Sequence, residues 1–245
     1  MNRQTIGFDR ELRLHWLDAV ASRSAARTDV KEIRAWLDEF LADSVSGDGH
    51  SSNRGKTITV LCRVWVTPPK ACRDLQELGF RLLAEAQPEQ RIALHWGMTL
   101  AAYPFFGDVM DAVGRLLSIQ GDVQRGSVIQ RMYENWGQRP AVSRASRAAW
   151  QTAIWWGALN QEDERGRYTP ARKAVRLSRP LESFLVEAAL HWARSKPIAV
   201  SSLKSLPCMF PFDMSHAALT VRTSERVTVS RQGSDLELVR MRDAR

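Results

Sequence analysis

Apolar side chains recur at three- and four-residue intervals over most of this chain, and alternate with polar ones only in short runs. The clearest repeat is "DVKEIRAWLDEFLA" at 29–42, where Ile33, Trp36, Leu37, Phe40 and Leu41 line one face of a helix. Asp29 stands where it can cap that helix, and Glu32 completes a capping-box pattern. Residues 9–20 form a first amphipathic helix, and 73–86 place Leu75, Leu78, Leu82 and Leu83 on one face. A further helix over 89–102 follows Pro88, which suits a first helical turn. Between them, "SVSGDGHSSNRG" at 44–55 is a polar loop. The run "KTITVLCRVWV" supports two readings. Ile58, Val60, Cys62, Val64 and Val66 alternate as in a strand, whereas Ile58, Leu61 and Trp65 fit one helical face; "TPP" at 67–69 ends either element.

The pattern changes after residue 104. A helix over 105–119 turns Val109, Val113, Leu116 and Leu117 inward, and "GDVQRG" at 121–126 reads as a short strand and turn. Ser127 and Gln130 form a second capping-box pattern, opening a helix with Ile129, Met132, Tyr133 and Trp136 on one side. "GQRP" at 137–140 breaks it, and "SRASRAAWQTAIWWGAL" at 143–159 starts another helix. "NQEDERGRYTPARK", bounded by Leu159 and Tyr168, reads as a two-stranded hairpin. Helix, short strand, helix, helix, hairpin is the order of a winged helix-turn-helix. Beyond "SRP" at 178–180, Leu181, Phe184, Leu185, Ala188 and Trp192 mark one more helix, and "LTVRTSERVTVSRQGSDLELVRM" suggests a small antiparallel sheet. The expected fold is mainly α: a helical N-terminal domain over 1–103, a winged helix-turn-helix over 104–180, and a small α+β C-terminal lobe over 181–245.

Charge sharpens this picture. The chain carries a net +8, and nine basic against three acidic side chains fall within 139–180. A local basic excess points to a polyanionic partner better than a basic average does. On the helix through 143–159, Val142, Ala145, Ala149, Ala153 and Trp156 gather on one side. Arg144, Arg147 and Gln151 gather on the other, within roughly 60° of each other. Arginine and glutamine can read guanine and adenine in the major groove, and arginine pairs with phosphates at any sequence. Ser143 sits where its hydroxyl can cap the helix or meet a phosphate. Arg139 precedes the helix, Arg165 and Arg167 occupy the hairpin tip, and Arg172 and Lys173 lie just behind. Glu162, Asp163 and Glu164 stand beside that tip and repel phosphate. Of Trp155 and Trp156, at least one falls on the buried face.

Other motifs point away from catalysis. "RGKTITV" resembles a phosphate-binding loop, but position 50, where that motif needs glycine, is His50. His15, His95 and His191 each precede a tryptophan and read as core or boundary residues; no pair has metal-ligand spacing. Cys62, Cys72 and Cys208 lack C-x-x-C spacing and suit reduced thiols. No leader or membrane-spanning pattern is evident, so a cytoplasmic protein with no membrane partner, cofactor or metal is expected.

The stretches "NRGKTITVLCRVWV", "FFGDVMDAVGRLL" and "SRASRAAWQTAIWWGAL" after "MYENWG" resemble the BrxA-like proteins of BREX phage-defence systems, over roughly residues 5–170. The resemblance implies an all-α protein of winged-helix character that binds double-stranded DNA without catalysis. It also implies a helix over 55–66, and it carries Ser143, Arg144 and Arg147 over as a basic helix. Residues 181–245 depart from that pattern. The function expected from these readings is a non-enzymatic, double-stranded DNA-binding accessory protein of an anti-phage defence system, with other defence proteins as further partners. The alternatives are a winged-helix scaffold subunit and a transcription regulator.

Overall fold

A computed structural model describes residues 6–163, 166–171, 173–194, 196–233 and 236–242. The chain is mainly helical, with small sheets of two or three strands. Five helices fill its first part: α1 (Leu14–Ala25), α2 (Val30–Phe40), α3 (Asn53–Trp65), α4 (Arg73–Glu85) and α5 (Arg91–Ala102). Asp29 caps α2, its carboxylate accepting from the Lys31 N–H at 2.8 Å. Residues 53–65 are helix, which decides between the two readings of that run. Its N-cap Ser52 accepts from the Gly55 N–H at 3.0 Å. Gly55 has no room for a side chain, because a Cβ would collide with the carbonyls of Gly49 and His50. The first helix starts at Leu14, later than the pattern over 9–20 predicts; at Leu12 the chain is instead hydrogen-bonded to Thr152.

The middle of the chain follows the expected order. It comprises α6 (Pro104–Gln120), β1 (Val123–Gln124), α7 (Arg125–Trp136), α8 (Pro140–Trp155), β2 (Leu159–Gln161) and β3 (Arg167–Pro170). The three strands form one antiparallel sheet in the order β1-β3-β2, with Val123 opposite Tyr168 and Gln161 opposite the same tyrosine. Ser127 does not cap α7, whose N-cap position is Gln124, three residues earlier; Val128, Met132 and Trp136 form its buried stripe. Tyr168 meets Trp150 edge-on, ring centroids 5.0 Å apart, and so seats the hairpin on α8.

Beyond β4 (Val175–Arg176) come α9 (Arg179–Trp192), β5 (Ile198–Ala199), β6 (Phe212–Asp213), α10 (Ala217–Thr223), β7 (Val227–Gln232) and β8 (Leu236–Met241). The β7–β8 pair is antiparallel, as the alternating tail predicts, and β8 also pairs with β5 on its other edge. "LTVRT" is the exception. It lies in α10, where Thr220 and Val221 are buried and Leu219 faces out.

One continuous buried cluster runs through all three parts of the chain. Its centre is α5, buried from Ile92 to Ala102 and packed against α4, α6 and α9. The tail crosses α6 at the single turn Pro207–Met209, and the crossing is possible because residue 114 is glycine. A Cβ there would overlap the Pro207 carbonyl. Two buried carboxylates on α9 hold the rest of the tail. Glu182 accepts from the main-chain N–H of His216 at 3.0 Å, and Glu187 accepts from Arg226 Nε at 2.6 Å. Asp108 on α6 accepts from two indoles, Trp136 and Trp192, each at 2.8 Å, which ties α7 to α9.

Two tests follow from this packing. Gly114→Ala forces the Pro207 turn off α6 and is expected to cost about 1–3 kcal/mol, as overpacking does. Gly126→Ala on α7, where a Cβ meets open space, is expected to cost nothing or to stabilise slightly. Denaturant midpoints that rank the two variants the other way would refute the crossing. The second test concerns acid. Burial raises the Asp108 carboxyl above its ordinary value, overcoming the two indole hydrogen bonds and the charge of Arg194. Burial likewise raises Glu187 despite its bond to Arg226. Such a group binds its proton more tightly when folded. Its share of stability is full below the ordinary value of about 4 and is lost as pH rises through the raised one. Across that interval the decline in the parent's urea midpoint with rising pH should be steeper than in Asp108→Asn; equal slopes would contradict the assignment.

Candidate nucleic-acid interface

Helix α8 is alanine-rich on its inner side for a physical reason. Val142, Ala145, Ala148, Ala149 and Ala153 are buried against α6 and α7, and small side chains let the helices approach closely. Trp156, fully buried at its end, anchors it to the core beside Trp96 and Phe106. Its outer side carries Arg144, Arg147, Gln151 and Trp155. Arg144 and Arg147 are exposed and have neither an ion pair nor a hydrogen bond among the described residues. Gln151 is half-buried on the same side.

The start of the helix differs from the sequence expectation. Ser143 does not cap it; the N-cap position is Arg139, with Pro140 at the first helical position. Arg139 is exposed and donates through Nη2 to the Trp136 carbonyl at 3.0 Å, closing the turn between α7 and α8. Ser143 is half-buried and lies in a cleft of about 820 Å³ together with Arg144 and Arg147. The opposite wall comes from the N-terminal part of the chain: Asp9 to Glu11, Arg13, the loop over 44–46, and Asn53 and Thr57 of α3.

Two hydrogen bonds between the Leu12 main chain and side chains at the end of α8 fix that wall. The Leu12 N–H donates to Thr152 Oγ1 at 3.1 Å, and the Leu12 carbonyl accepts from Trp156 Nε1 at 3.0 Å. Leu12 itself is fully buried. The residues around it therefore have set positions. Arg13 lies over the Trp155 ring with its guanidinium carbon 3.4 Å from the centroid, and Glu11 accepts from Trp155 Nε1 at 3.2 Å. Trp155 remains 42% exposed between them. Sequence reasoning missed Arg10 and Arg13, because nothing local to residues 9–13 signals a partner on α8.

The hairpin offers less free charge than its composition promises. Arg167 is exposed, but its Nε donates to Asp163 at 2.8 Å and its Nη1 lies 3.7 Å from Asp122. The hydrogen bond it donates to Asp163, reinforced by that carboxylate's charge, holds the Arg167 proton more tightly than usual. Lys173 is exposed with no ion pair among the described residues. Arg165 and Arg172 lie outside the described residues.

Among the described residues, no group of three histidine, cysteine or acidic side chains is arranged to hold a metal ion, and no helix is long and apolar enough to cross a membrane. His95 is fully buried, accepting from Trp65 Nε1 at 3.0 Å through Nδ1 and facing Asp18 at 3.0 Å through Nε2. His191 is half-buried and His15 is exposed. All three cysteines are buried and unpaired, and burial pushes the Cys62 and Cys72 thiols up to about 11. Comparison with protein-family models, curated proteins and solved structures finds no match for the chain.

The pairing at the hairpin has a measurable consequence. Asp163→Asn keeps the side-chain oxygen that accepts from the Arg167 N–H at 3.2 Å but removes the charge that engages its guanidinium. If the hairpin tip meets a polyanion, this variant binds a DNA duplex several-fold more tightly than the parent at low salt. Unchanged affinity would place the hairpin outside the interface.

Proposed function

We propose that this protein binds double-stranded DNA without catalysing a reaction on it, with α8 as the helix that meets the groove. The observation that carries the reading is the outer side of α8. It presents two exposed arginines with no carboxylate partner among the described residues, beside a glutamine, on a helix whose other side is locked into the core. The element order and the β1-β3-β2 pairing support the winged helix-turn-helix expected from the sequence, a fold that would present its third helix in this way. On this reading Arg144, Arg147 and Gln151 face the groove, Ser143 and Arg139 lie near the backbone at the start of the helix, and Lys173 adds positive charge behind the hairpin. The resemblance to BrxA-like proteins suggests the setting: an accessory role in a BREX-like anti-phage defence system, in the cytoplasm, alongside other proteins of that system.

A second reading has one observation in its favour. Asp9 and Glu11 border the same arginines, and such mixed charge suits a protein partner as well as DNA. The scaffold role then replaces DNA binding.

Fluorescence anisotropy of a labelled mixed-sequence duplex separates the two. The parent protein is expected to bind with an affinity that falls steeply with salt, the logarithmic slope being about −0.9 for each phosphate neutralised. Arg144→Ala/Arg147→Ala is expected to lose most of that affinity and to flatten the slope by about 2. Equal binding by parent and variant would remove α8 from the interface. No binding by a folded parent at low salt, with co-purification of other proteins, would leave the scaffold reading.

A further inference from the structure

We infer that DNA is held from two sides: a phosphodiester strand of the duplex lies in the cleft between α8 and the N-terminal segment, gripped by Arg10 and Arg13 on one wall and by Arg144 and Arg147 on the other. This rests on the DNA-binding reading above and adds a second contact surface to it, from a part of the chain outside the helix-strand-helix-helix-hairpin unit.

Three observations support it. The first is charge. The cleft brings together four arginines against two carboxylates, a local excess of positive charge. Each carboxylate is already engaged, Asp9 with Arg10 at 3.2 Å and Glu11 with the Trp155 indole at 3.2 Å, which leaves Arg13, Arg144 and Arg147 without an acidic partner among the described residues. The second is an incomplete hydrogen-bond set. Arg10 spends Nη1 on its neighbour's carbonyl and carboxylate, while its Nε–H is buried with no acceptor among the described residues. An incoming phosphate oxygen meets the guanidinium at Nη2, which makes no hydrogen bond among the described residues, and such an oxygen is an acceptor that an arginine fork matches well. The third is rigidity. Leu12 is bonded to α8 through both its N–H and its carbonyl, and Arg13 is stacked on Trp155, so the two walls hold a fixed separation before any ligand arrives. Preorganised cations lose little side-chain freedom on binding.

The remaining lining fits a backbone rather than a base. Ser143, Ser46 and Asn53 offer small polar groups that bond phosphate and sugar oxygens without selecting a sequence. At about 820 Å³ the space suits a short length of one strand, and a duplex presents one strand at a time to such a wall. Gln151, on the outer side of α8, remains directed at the groove.

The test uses the full chain and the same labelled duplex. Arg13→Ala is expected to weaken binding about tenfold at fixed salt and to reduce the salt slope by about 1. Ser46→Lys is the companion variant. Ser46 is exposed, and its side chain has no hydrogen bond among the described residues, so the substitution adds a cation to the cleft without removing a contact. It is expected to tighten binding several-fold and to steepen the slope by about 1. Circular dichroism with a thermal midpoint checks the fold of both variants. If Arg144→Ala/Arg147→Ala abolishes binding while Arg13→Ala and Ser46→Lys change neither affinity nor slope, the two-sided grip is wrong and α8 acts alone. If the folded parent does not bind the duplex at all, the DNA-binding reading itself fails and takes this inference with it.

Discussion

The indole of Trp96 is where the chain's three parts meet, and the rest of the structure depends on its burial. It sits on α5, fully enclosed, with Phe106 of α6, Trp156 at the end of α8, and Phe210 and Phe212 of the tail arranged around it at ring-centroid distances of 5.4 to 5.8 Å. A buried indole needs an acceptor for its N–H, and the Cys208 carbonyl supplies it at 3.0 Å. That one bond sets where the Pro207 turn crosses α6. The turn reaches its place only because Gly114 leaves the helix surface bare. A tail of short strands and turns is thus fixed by a side chain more than a hundred residues earlier.

The same cluster explains why α8 can present an open basic side. A helix held only by its alanine stripe buries little apolar area per residue. Trp156 makes up the difference, its ring packed beside Trp96 and Phe106 and its N–H donated to the Leu12 carbonyl. The adjacent tryptophans divide the work: Trp156 belongs to the core, and Trp155 is the platform on which Arg13 rests. The rigidity of the outer side therefore comes from behind and from the N-terminal segment, not from the exposed residues. Arg144 and Arg147 are left with their donors unspent among the described residues, the arrangement an electrostatic interface uses when the partner, and not the protein, supplies the anions.

Much of this was legible in the sequence wherever one side of an element is polar. Helices α2, α4, α6 and α8 show their stripes, and the hairpin is marked by Leu159, Tyr168 and the polar stretch between them. The run over 53–65 was ambiguous because α3 is buried on most of its circumference, so apolar residues fill both helical and alternating positions. Its polar residues carry the clearer period. Asn53, Lys56, Thr59 and Arg63 are the exposed ones, spaced by three and four. The segment over 217–223 misleads for the opposite reason. "LTVRT" is β-branched and short, and the helix it forms is decided by packing against α9, which local propensity does not see. Ser127 shows the limit of motif reading at helix starts. Its capping pattern is intact, yet the strand pairing of Val123 and Gln124 with β3 brings the chain into the helix three residues sooner.

The candidate interface divides along the same line. Its local half, the arginines of α8, follows from helical geometry alone. Its distant half does not. Arg10 and Arg13 lie more than 130 positions from Arg144 in the chain, and the link between them is the pair of hydrogen bonds at the main chain of Leu12, a residue whose type says nothing about its partner. Compositional counting also misjudges the sign of the two walls. Residues 1–50 carry more acid than base, whereas 139–180 are strongly basic, so the N-terminal part reads as indifferent to a polyanion. The fold selects from that acidic stretch the few residues that touch α8. Among them Arg10 and Arg13 match Asp9 and Glu11 in number, and both acids are already occupied by neighbours. The charge an incoming phosphate meets is set by which groups remain unpaired at the contact, and over a screening length of about 8–10 Å that local balance outweighs the sum over the segment.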